Sequence, residues 1–567
     1  MFDELSQCTT RVLADTYSMT DISVEWDVSG SVEHGDVSTS IALRLATKIG
    51  KSPRDIAQVI CTAIGMLPFV ERSELAGPGF VNVWFTVKEL LRQAQISVSY
   101  SEPMTVRTKE APVIVEYSQP NIAKPLGAHH LLSTIIGQAI ANMHRHAGYH
   151  VLTWNYTGDW GTQFGKLAVS YRRWGDDRPV KEYSIDELLN LYVRFHKETE
   201  KDISLEGEGR AAFRKLEEGD AELRAFWRDV VSITKSSLSA LYDRLHVHFD
   251  TDISESFYEG KMQPILEEGV KKGVFTEGEE GALIVEFPED THLPPYMVRK
   301  SDGATLYATR DLAQMRYRID IYHPESILIC TDRAQELHFR QLIATCQKLQ
   351  WVLPHFCNVL VGRMRFADAT MSTRKGTIIR LERILDEAVG RAMSIIKDRG
   401  DLIQTDDPKA LAEMMGVGSV VYGIVSQNRN ADITFDWEKF LHFDGNSAPY
   451  LQYTYARARS VVRKGEWNGS PTDALETENF TGHERDLVNT LIQFPRVLEE
   501  ARMEYMPHIL AQYLFLLCQR FNAFYNSDAI LRSSPIERER RLFLTSSTAS
   551  LLKTGGELLC LRFPESM

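Results

Sequence analysis

Two stretches of the 567-residue chain gather groups that can work on phosphate. The first is Glu116-Tyr-Ser-Gln-Pro-Asn121-Ile-Ala-Lys124-Pro-Leu-Gly127-Ala128-His129-His130-Leu-Leu-Ser133-Thr134, an apolar strand, a proline-shaped turn and a small-residue loop opening a helix. A helix N-terminus presents unpaired backbone N–H groups and the positive end of the peptide dipole, which suits phosphate. Two imidazoles and a lysine there can stabilise charge developing on a transferring phosphoryl group. The second is Ala369-Thr370-Met371-Ser372-Thr373-Arg374-Lys375-Gly376-Thr377, hydroxyls and two cations closed by a glycine. Such a loop suits a lid that grips triphosphate oxygens in the transition state.

Two further patterns bear on what else binds. Tyr307 and Asp311 are four apart in a helical stretch and therefore share one face. Pro449-Tyr450-Leu-Gln-Tyr453-Thr-Tyr455-Ala-Arg457-Ala-Arg459-Ser-Val-Val-Arg463-Lys464 interleaves aromatics with cations, a pattern that can stack splayed bases and contact phosphates. Glu537-Arg-Glu-Arg-Arg541 reads as a solvated face.

The elements that must position these residues follow from periodicity. The first hundred or so residues form an α+β module: Thr39 to Gly65 has helical apolar spacing, and Gly77-Pro78-Gly79 turns into the alternating strand Phe80–Phe85. Residues 101–111 are polar and read as a linker. A parallel α/β pattern follows, with a strand at Pro112–Tyr117, a helix from Leu131 to His146 ended by Gly148, and a strand at Val151–Trp154. This is a βαβ unit, and ligands bind at the carboxyl edge of such sheets. From about 170 to 285 the chain turns charged and helical, with a capping box at Ser184-Ile-Asp-Glu187, and reads as an insertion in the sheet domain. Strand-like runs return at Ser326–Cys330 and Asn358–Val361, and from Ala388 helical periodicity dominates.

Composition narrows the function classes. The net charge is −13, with 43% hydrophobic and 25% charged residues. That excludes a wholly disordered chain and a nucleic-acid binder working through overall positive charge; RNA would have to bind through a local surface and shape. None of the seven cysteines forms a C-x-x-C pair, so they read as reduced, mostly buried thiols of a cytoplasmic protein, without a structural metal. No run approaches the ~18 apolar residues of a membrane span. The N-terminus is acidic at once and lacks the basic region of a signal peptide.

Over nearly its whole length the chain resembles the arginyl-tRNA synthetases, a family of class I aminoacyl-tRNA synthetases. The resemblance rests on Asn121-Ile-Ala-Lys-Pro with the HIGH-like element after it, Asn155-Tyr-Thr-Gly-Asp159-Trp-Gly-Thr-Gln-Phe-Gly165, Leu306-Tyr-Ala-Thr-Arg-Asp311, Met371-Ser-Thr-Arg-Lys-Gly, Ala448-Pro-Tyr-Leu-Gln-Tyr-Thr-Tyr-Ala-Arg457 and the terminal Met567. It implies an α/β fold: an additional domain over 1–105 that touches the tRNA elbow, and a Rossmann-type catalytic domain with a parallel sheet over 106–385. A connecting helical region over 386–445 and an all-α anticodon-binding bundle over 446–567 would follow.

The same resemblance implies the chemistry. ATP, accompanied by Mg²⁺, and L-arginine would give arginyl-adenylate, and the arginyl group would pass to tRNA(Arg). A monomer is expected. Lys124, His129, His130, Ser372, Arg374 and Lys375 would be catalytic, and Gly127, Ala128, His129, His130, Met371, Ser372 and Thr373 would hold ATP. Gln119, Asn121, His130, Glu255, Tyr307, Asp311 and Gln335 would hold arginine. Asp311 and Glu255 would supply the charge that a guanidinium with five donors requires. Tyr450, Tyr453, Arg457 and Met567 would contact tRNA. Two departures stand out. The family's His-x-Gly-His is Gly127-Ala128-His129-His130 here, so His129 or Lys124 would supply the lost charge. Thr370 stands where the loop often begins with lysine, and Lys124 matches the lysine that compensates. The alternative is a degenerate relative that binds tRNA or arginine without activating it.

Overall fold

The computed structural model describes residues 1–29, 32–278, 281–301, 303, 305–366, 380–398, 403, 405–442, 445–469 and 480–567. A parallel sheet lies at its middle, in the spatial order His355–Val361, Ser326–Asp332, Val113–Glu116, Val151–Trp154. Its strands read as continuous apolar runs because both faces are covered. Val113, Val115, Leu328 and Cys330 pack with Leu131 and Ile135 of the helix Ala128–His146. Ile114, Ile327 and Ile329 face the other way, onto Leu312 of the helix Tyr307–Tyr322 and Leu342 of the helix Glu336–Lys348. From Val113–Glu116 the chain first adds a strand on one side and then returns to add Ser326–Asp332 on the other. The crevice beyond Glu116 and Asp332 is therefore a topological switch point, where open α/β sheets bind their ligands.

The N-terminal module is a four-stranded antiparallel sheet, Asp27–Val28, Val37–Thr39, Phe80–Phe85, Val70–Ala76, with helices packed against it. The helical spacing over 39–65 resolves into two helices, Ile41–Ile49 and Pro53–Ile64. Gly50 ends the first at φ 70°, and the Ser52 hydroxyl accepts the Asp55 N–H to start the second, with Pro53 in its first turn. Apolar periodicity survives that break, which is why it conceals it.

The insertion holds the helices Ile185–Thr199, Ser204–Glu217 and Ala221–Arg244, and the Ser184–Glu187 capping box forms. It is not helical to its end: Thr276–Glu277, Leu283–Val285 and Tyr296–Arg299 make a small antiparallel sheet. The helical C-terminal part is likewise interrupted by Ile433–Phe435, which pairs in parallel with Met364–Phe366. All seven cysteines are free thiols and five are buried.

One expectation is overturned. In Glu537–Arg541 the side chains of Arg540 and Arg541 are buried, 1% and 7% exposed, and both pair with the fully buried Glu484 at 3.0 and 2.9 Å. A buried carboxylate needs such partners. The partner lies more than fifty residues earlier in the chain, so the local pattern cannot reveal it.

A similar buried pair joins the two ends of the chain. The Asp36 carboxylate, wholly buried in the N-terminal module, accepts the Phe85 N–H at 2.7 Å and the Asn489 amide at 2.7 Å. Arg485 donates to it from Nη2 at 2.7 Å and from Nε at 2.8 Å. Arg485 and Asn489 belong to the helix Gly482–Leu491 of the C-terminal bundle. Removing one member of a buried pair strands the other, at about 3–5 kcal/mol. Arg485→Ala should therefore lower resistance to denaturant by about that amount and speed proteolysis in the exposed 102–111 linker. Unchanged proteolysis and an unchanged denaturation midpoint would show that the two ends are held by other contacts.

Candidate active site

Two loops face each other across the switch-point crevice. The first leaves Glu116 and passes through three non-glycine residues in the left-handed region, Ser118 (φ 75°), Gln119 (φ 53°) and Ala123 (φ 64°), before the helix begins at Ala128. Such backbone is costly and persists only where surroundings impose it. Here the surroundings are the loop after Val151–Trp154. Gly158 N–H donates to Pro120 O at 3.0 Å, and Ile122 N–H donates to Gly158 O at 3.1 Å. A Cβ on Gly158 would collide with the Asn121 side-chain oxygen, so the glycine lets Asn121 keep its present rotamer against the second loop. This packing sets Asn121 beside the motif Asn155–Gly165.

Below the crevice Glu116 forms a buried ion pair with Arg318, and its carboxylate also receives the side-chain amides of Gln119 and of Gln314, the latter at 3.3 Å. The Arg318 guanidinium lies over the Trp154 ring, 4.3 Å from its centroid. Gln119 is thus tied by its amide nitrogen to the floor of the site.

At the helix start, His130 Nδ1 accepts the Gly127 N–H at 3.3 Å. An imidazole that accepts at Nδ1 carries its proton on Nε2. Gly127 also bridges Arg380, and Leu381 N–H donates to Leu126 O at 3.0 Å. Arg380 is itself ion-paired with Asp186 of the insertion. Lys124 faces the insertion too, its ammonium 5.3 Å from the centre of the Tyr192 ring. The His129 side chain and Met371, Ser372, Thr373, Arg374 and Lys375 lie outside the described residues, as does Thr370.

The acidic half of the site is built on a second network. Asp159 accepts the Ser256 N–H at 2.8 Å and its hydroxyl at 2.7 Å, and Glu255 N–H donates to Thr157 O at 3.2 Å. The motif 155–165 thereby holds the Glu255-Ser256 segment in place. The Glu255 carboxylate is mostly buried and pairs with Arg310 at 3.1 Å. Burial pushes its pKa up to about 7; Arg310 opposes the shift, and the charges of Asp311 and Asp159 add to it. Asp311, on the helix Tyr307–Tyr322, accepts from His338 Nε2 at 2.7 Å, and His338 Nδ1 lies 3.1 Å from the Tyr296 hydroxyl. Tyr296 O–H to His338, and His338 N–H to Asp311, makes a consistent chain of donors. Tyr307 is exposed, and its ring lies 4.9 Å from that of His338. Gln335 is exposed on the turn after Ser326–Asp332, at the same sheet edge.

Glu255, Asp311 and Tyr307 thus lie in one neighbourhood, linked through Arg310 and His338. The structure adds His338, Tyr296, Asp159 and Tyr156, which the sequence reading left without roles. Asp159 and Tyr156 lay within a quoted motif; His338 had only its place three residues beyond Gln335 as a signal.

A cleft of about 480 Å³ in the C-terminal bundle is lined by Tyr453, Arg457, Tyr525 and Met567. The Arg457 guanidinium sits between the rings of Tyr453 and Tyr525, at 4.6 and 4.9 Å, and donates to Asn522 at 2.5 Å. Asn522 in turn donates to the Tyr450 hydroxyl at 3.1 Å. Tyr455 and Arg459 of the same stretch are spent on the tail, both bonding Glu565.

Among the described residues there is no group of three His, Cys, Asp or Glu placed to hold a metal ion, and no helix is long and apolar enough to cross a membrane.

Comparison with known proteins agrees with this arrangement. Residues 93–437 match the catalytic domain of class I (R) tRNA synthetases, 451–567 the DALR anticodon binding domain, and 3–85 the arginyl tRNA synthetase N terminal domain. The arginine--tRNA ligase of Fusobacterium nucleatum is 37% identical over 537 residues, 94% of each chain. That of an Exiguobacterium species is 37% identical over 571 residues, 99% of each chain. The fold matches the solved arginyl-tRNA synthetases of Thermus thermophilus (TM-score 0.81, 24% identity, all of both chains) and Plasmodium falciparum (TM-score 0.81, 21% identity, 100% and 99% of the chains). The chain belongs to the arginyl-tRNA synthetase family, ligases built on a class I catalytic domain.

Proposed function

We propose that this protein is a working arginine–tRNA ligase that activates L-arginine with ATP and transfers it to tRNA(Arg). The observation that carries this reading is the pair of shielded carboxylates, Glu255 and Asp311, each already fixed by a cationic or imidazole neighbour. A guanidinium offers planar donors to two such groups, and a site with buried acceptors rejects substrates that leave them unpaired.

In the first step a carboxylate oxygen of arginine attacks the α-phosphorus of ATP, and the bond to the bridging oxygen of the β-phosphate breaks, releasing pyrophosphate. Mg²⁺ enters with the nucleotide as part of the substrate. No protein nucleophile is needed: positioning and electrostatic stabilisation suffice. The helix beginning at Ala128 directs its N-terminal N–H groups at phosphate, and His130 Nε2–H donates to an oxygen whose charge grows as the leaving group departs. Lys124, His129 and residues 371–375 supply further cations and hydroxyls. Asn121 and Gln335 take the α-amino end, with Gln119 buttressing their loop. In the second step a ribose hydroxyl of the terminal adenosine attacks the adenylate carbonyl, and AMP leaves. Tyr450, Tyr453, Arg457 and Met567 form the face offered to the anticodon arm. We place the protein in the cytoplasm as a monomer.

The decisive assay is arginine-dependent pyrophosphate exchange with ATP and tRNA(Arg) present. Absence of exchange at saturating substrates would instead support a degenerate relative.

Three outcomes are expected in that assay. His130→Ala should lower the exchange rate about 100-fold, the scale of losing one oxyanion-type donor; unaltered kinetics would remove His130 from the site. Asp311→Asn should raise the arginine KM about tenfold or more, because a charge-assisted bond is lost, while the ATP KM stays within about twofold. Equal shifts in both would contradict the assignment. Glu255, with its pKa near 7 in the empty pocket, is largely protonated below that pH and charged above it. Arginine should therefore bind more tightly as pH rises from 6 to 8, and Glu255→Gln should abolish that dependence. A flat profile in the unaltered protein would exclude Glu255 as the titrating contact.

A further inference from the structure

Tyr156 carries an unsatisfied acceptor beside the acidic pocket. Its hydroxyl is shut off from solvent and has no hydrogen-bond partner among the described residues. Its ring packs edge-on against the buried Tyr258, with centroids 6.0 Å apart. The carboxylates of Asp311 and Glu255 are the charges that bear most strongly on the phenol, and together with burial they hold it in the neutral form. A buried hydroxyl without a partner costs free energy, so one kept among charged groups needs a reason.

The acceptor count gives one. One Glu255 oxygen is taken by Arg310 and one Asp311 oxygen by His338. An arriving guanidinium brings five N–H donors. Two carboxylates paired fork-to-fork along its edges reach at most about four of them, and a donor left unpaired in a closed pocket weakens binding. We propose that the Tyr156 hydroxyl oxygen accepts an N–H of the substrate guanidinium, making Tyr156 a specificity-determining residue of the arginine pocket. The inference rests on the arginine reading of the site. The bond forms only in the complex, so the hydroxyl is left unpaired without substrate. Tyr156 lies on the loop that Gly158 closes against Asn121, so the residue that reads the guanidinium and the residue at the amino end are held by one local structure.

Tyr156→Phe keeps the ring and removes the oxygen. Exchange assays on the full chain should show the arginine KM raised about tenfold to 100-fold, the range for a bond to a charged group. The maximal rate and the ATP KM should stay within about twofold. The melting temperature of the arginine-free protein should be unchanged or higher, because an unpaired buried hydroxyl is gone. The narrower consequence concerns Nω-methylarginine, which has one N–H fewer. If that N–H is the one Tyr156 reads, the arginine-to-methylarginine preference shrinks in the variant. An unchanged arginine KM in Tyr156→Phe, a parallel rise in the ATP KM, or a fall in melting temperature would each overturn the proposal. Absence of arginine-dependent exchange in the unaltered protein would instead refute the underlying arginine reading, and the two failures are thus distinct.

Discussion

The buried ion pair between Glu116 and Arg318 is the constraint from which the rest of the site follows. Glu116 ends a central strand and Arg318 lies well inside the helix Tyr307–Tyr322; both are almost completely shielded. Neither charge can remain without the other in that position. Arg318 is seven residues, close to two full turns, beyond Asp311, so both project from one side of the helix. Fixing Arg318 onto Glu116 therefore fixes the rotation of the helix and with it the direction of Asp311. The same guanidinium rests on Trp154 of the adjacent strand, which ties in the strand preceding Tyr156 and Asp159. One cation thus holds the three elements from which the pocket is built.

Around this rigid base the site itself is left partly unsatisfied. Glu255 sits where burial opposes its charge, the Tyr156 hydroxyl and the Arg310 Nε find no partner among the described residues, and three residues before the helix occupy left-handed backbone. Each feature works against stability in the empty protein. Glu255 binds a proton more readily when folded than it would in a solvated chain, so between its ordinary pKa and about 7 the folded state loses stability as pH rises. A guanidinium bound as proposed would reverse that loss by pairing with the carboxylate. The buried carboxylates of Glu116, Asp36 and Glu484 are each paired with an arginine, while the Tyr156 hydroxyl in the crevice has no partner among the described residues.

The fold was legible wherever a local rule suffices. The apolar runs at 113–116 and 151–154, the capping box at Ser184, and the turn before Phe80 all form as their residues dictate. What escaped was non-local. The break between the helices at Gly50 preserves apolar spacing, and the short strands at 283–285 and 433–435 exist only because partners elsewhere receive them. Arg540 and Arg541 resemble surface charges until Glu484 is brought to them by tertiary packing. In the site, helical spacing puts Tyr307 and Asp311 on one face, whereas Glu255 entered only through the family resemblance. His338 was readable from neither, because its role is defined by the carboxylate it meets across the helix packing, not by its neighbours in the chain.

The catalytic and RNA-facing regions are also linked by contiguous structure. The helix Ala128–His146 begins at the switch-point crevice, and Asn142, near its far end, donates to Leu558 O at 3.3 Å. Leu558 ends the helix Pro535–Leu558, and the chain runs on from there to Met567 in the Arg457 cleft. At the opposite flank, Asp36 and Arg485 join the N-terminal module to the same bundle. Contiguity of this kind does not establish energetic coupling, which requires an element with two states that both sites bias. It does fix geometry. The helix spans roughly 28 Å at 1.5 Å per residue, so the crevice and the bundle contact are held at a set separation by a single rigid element.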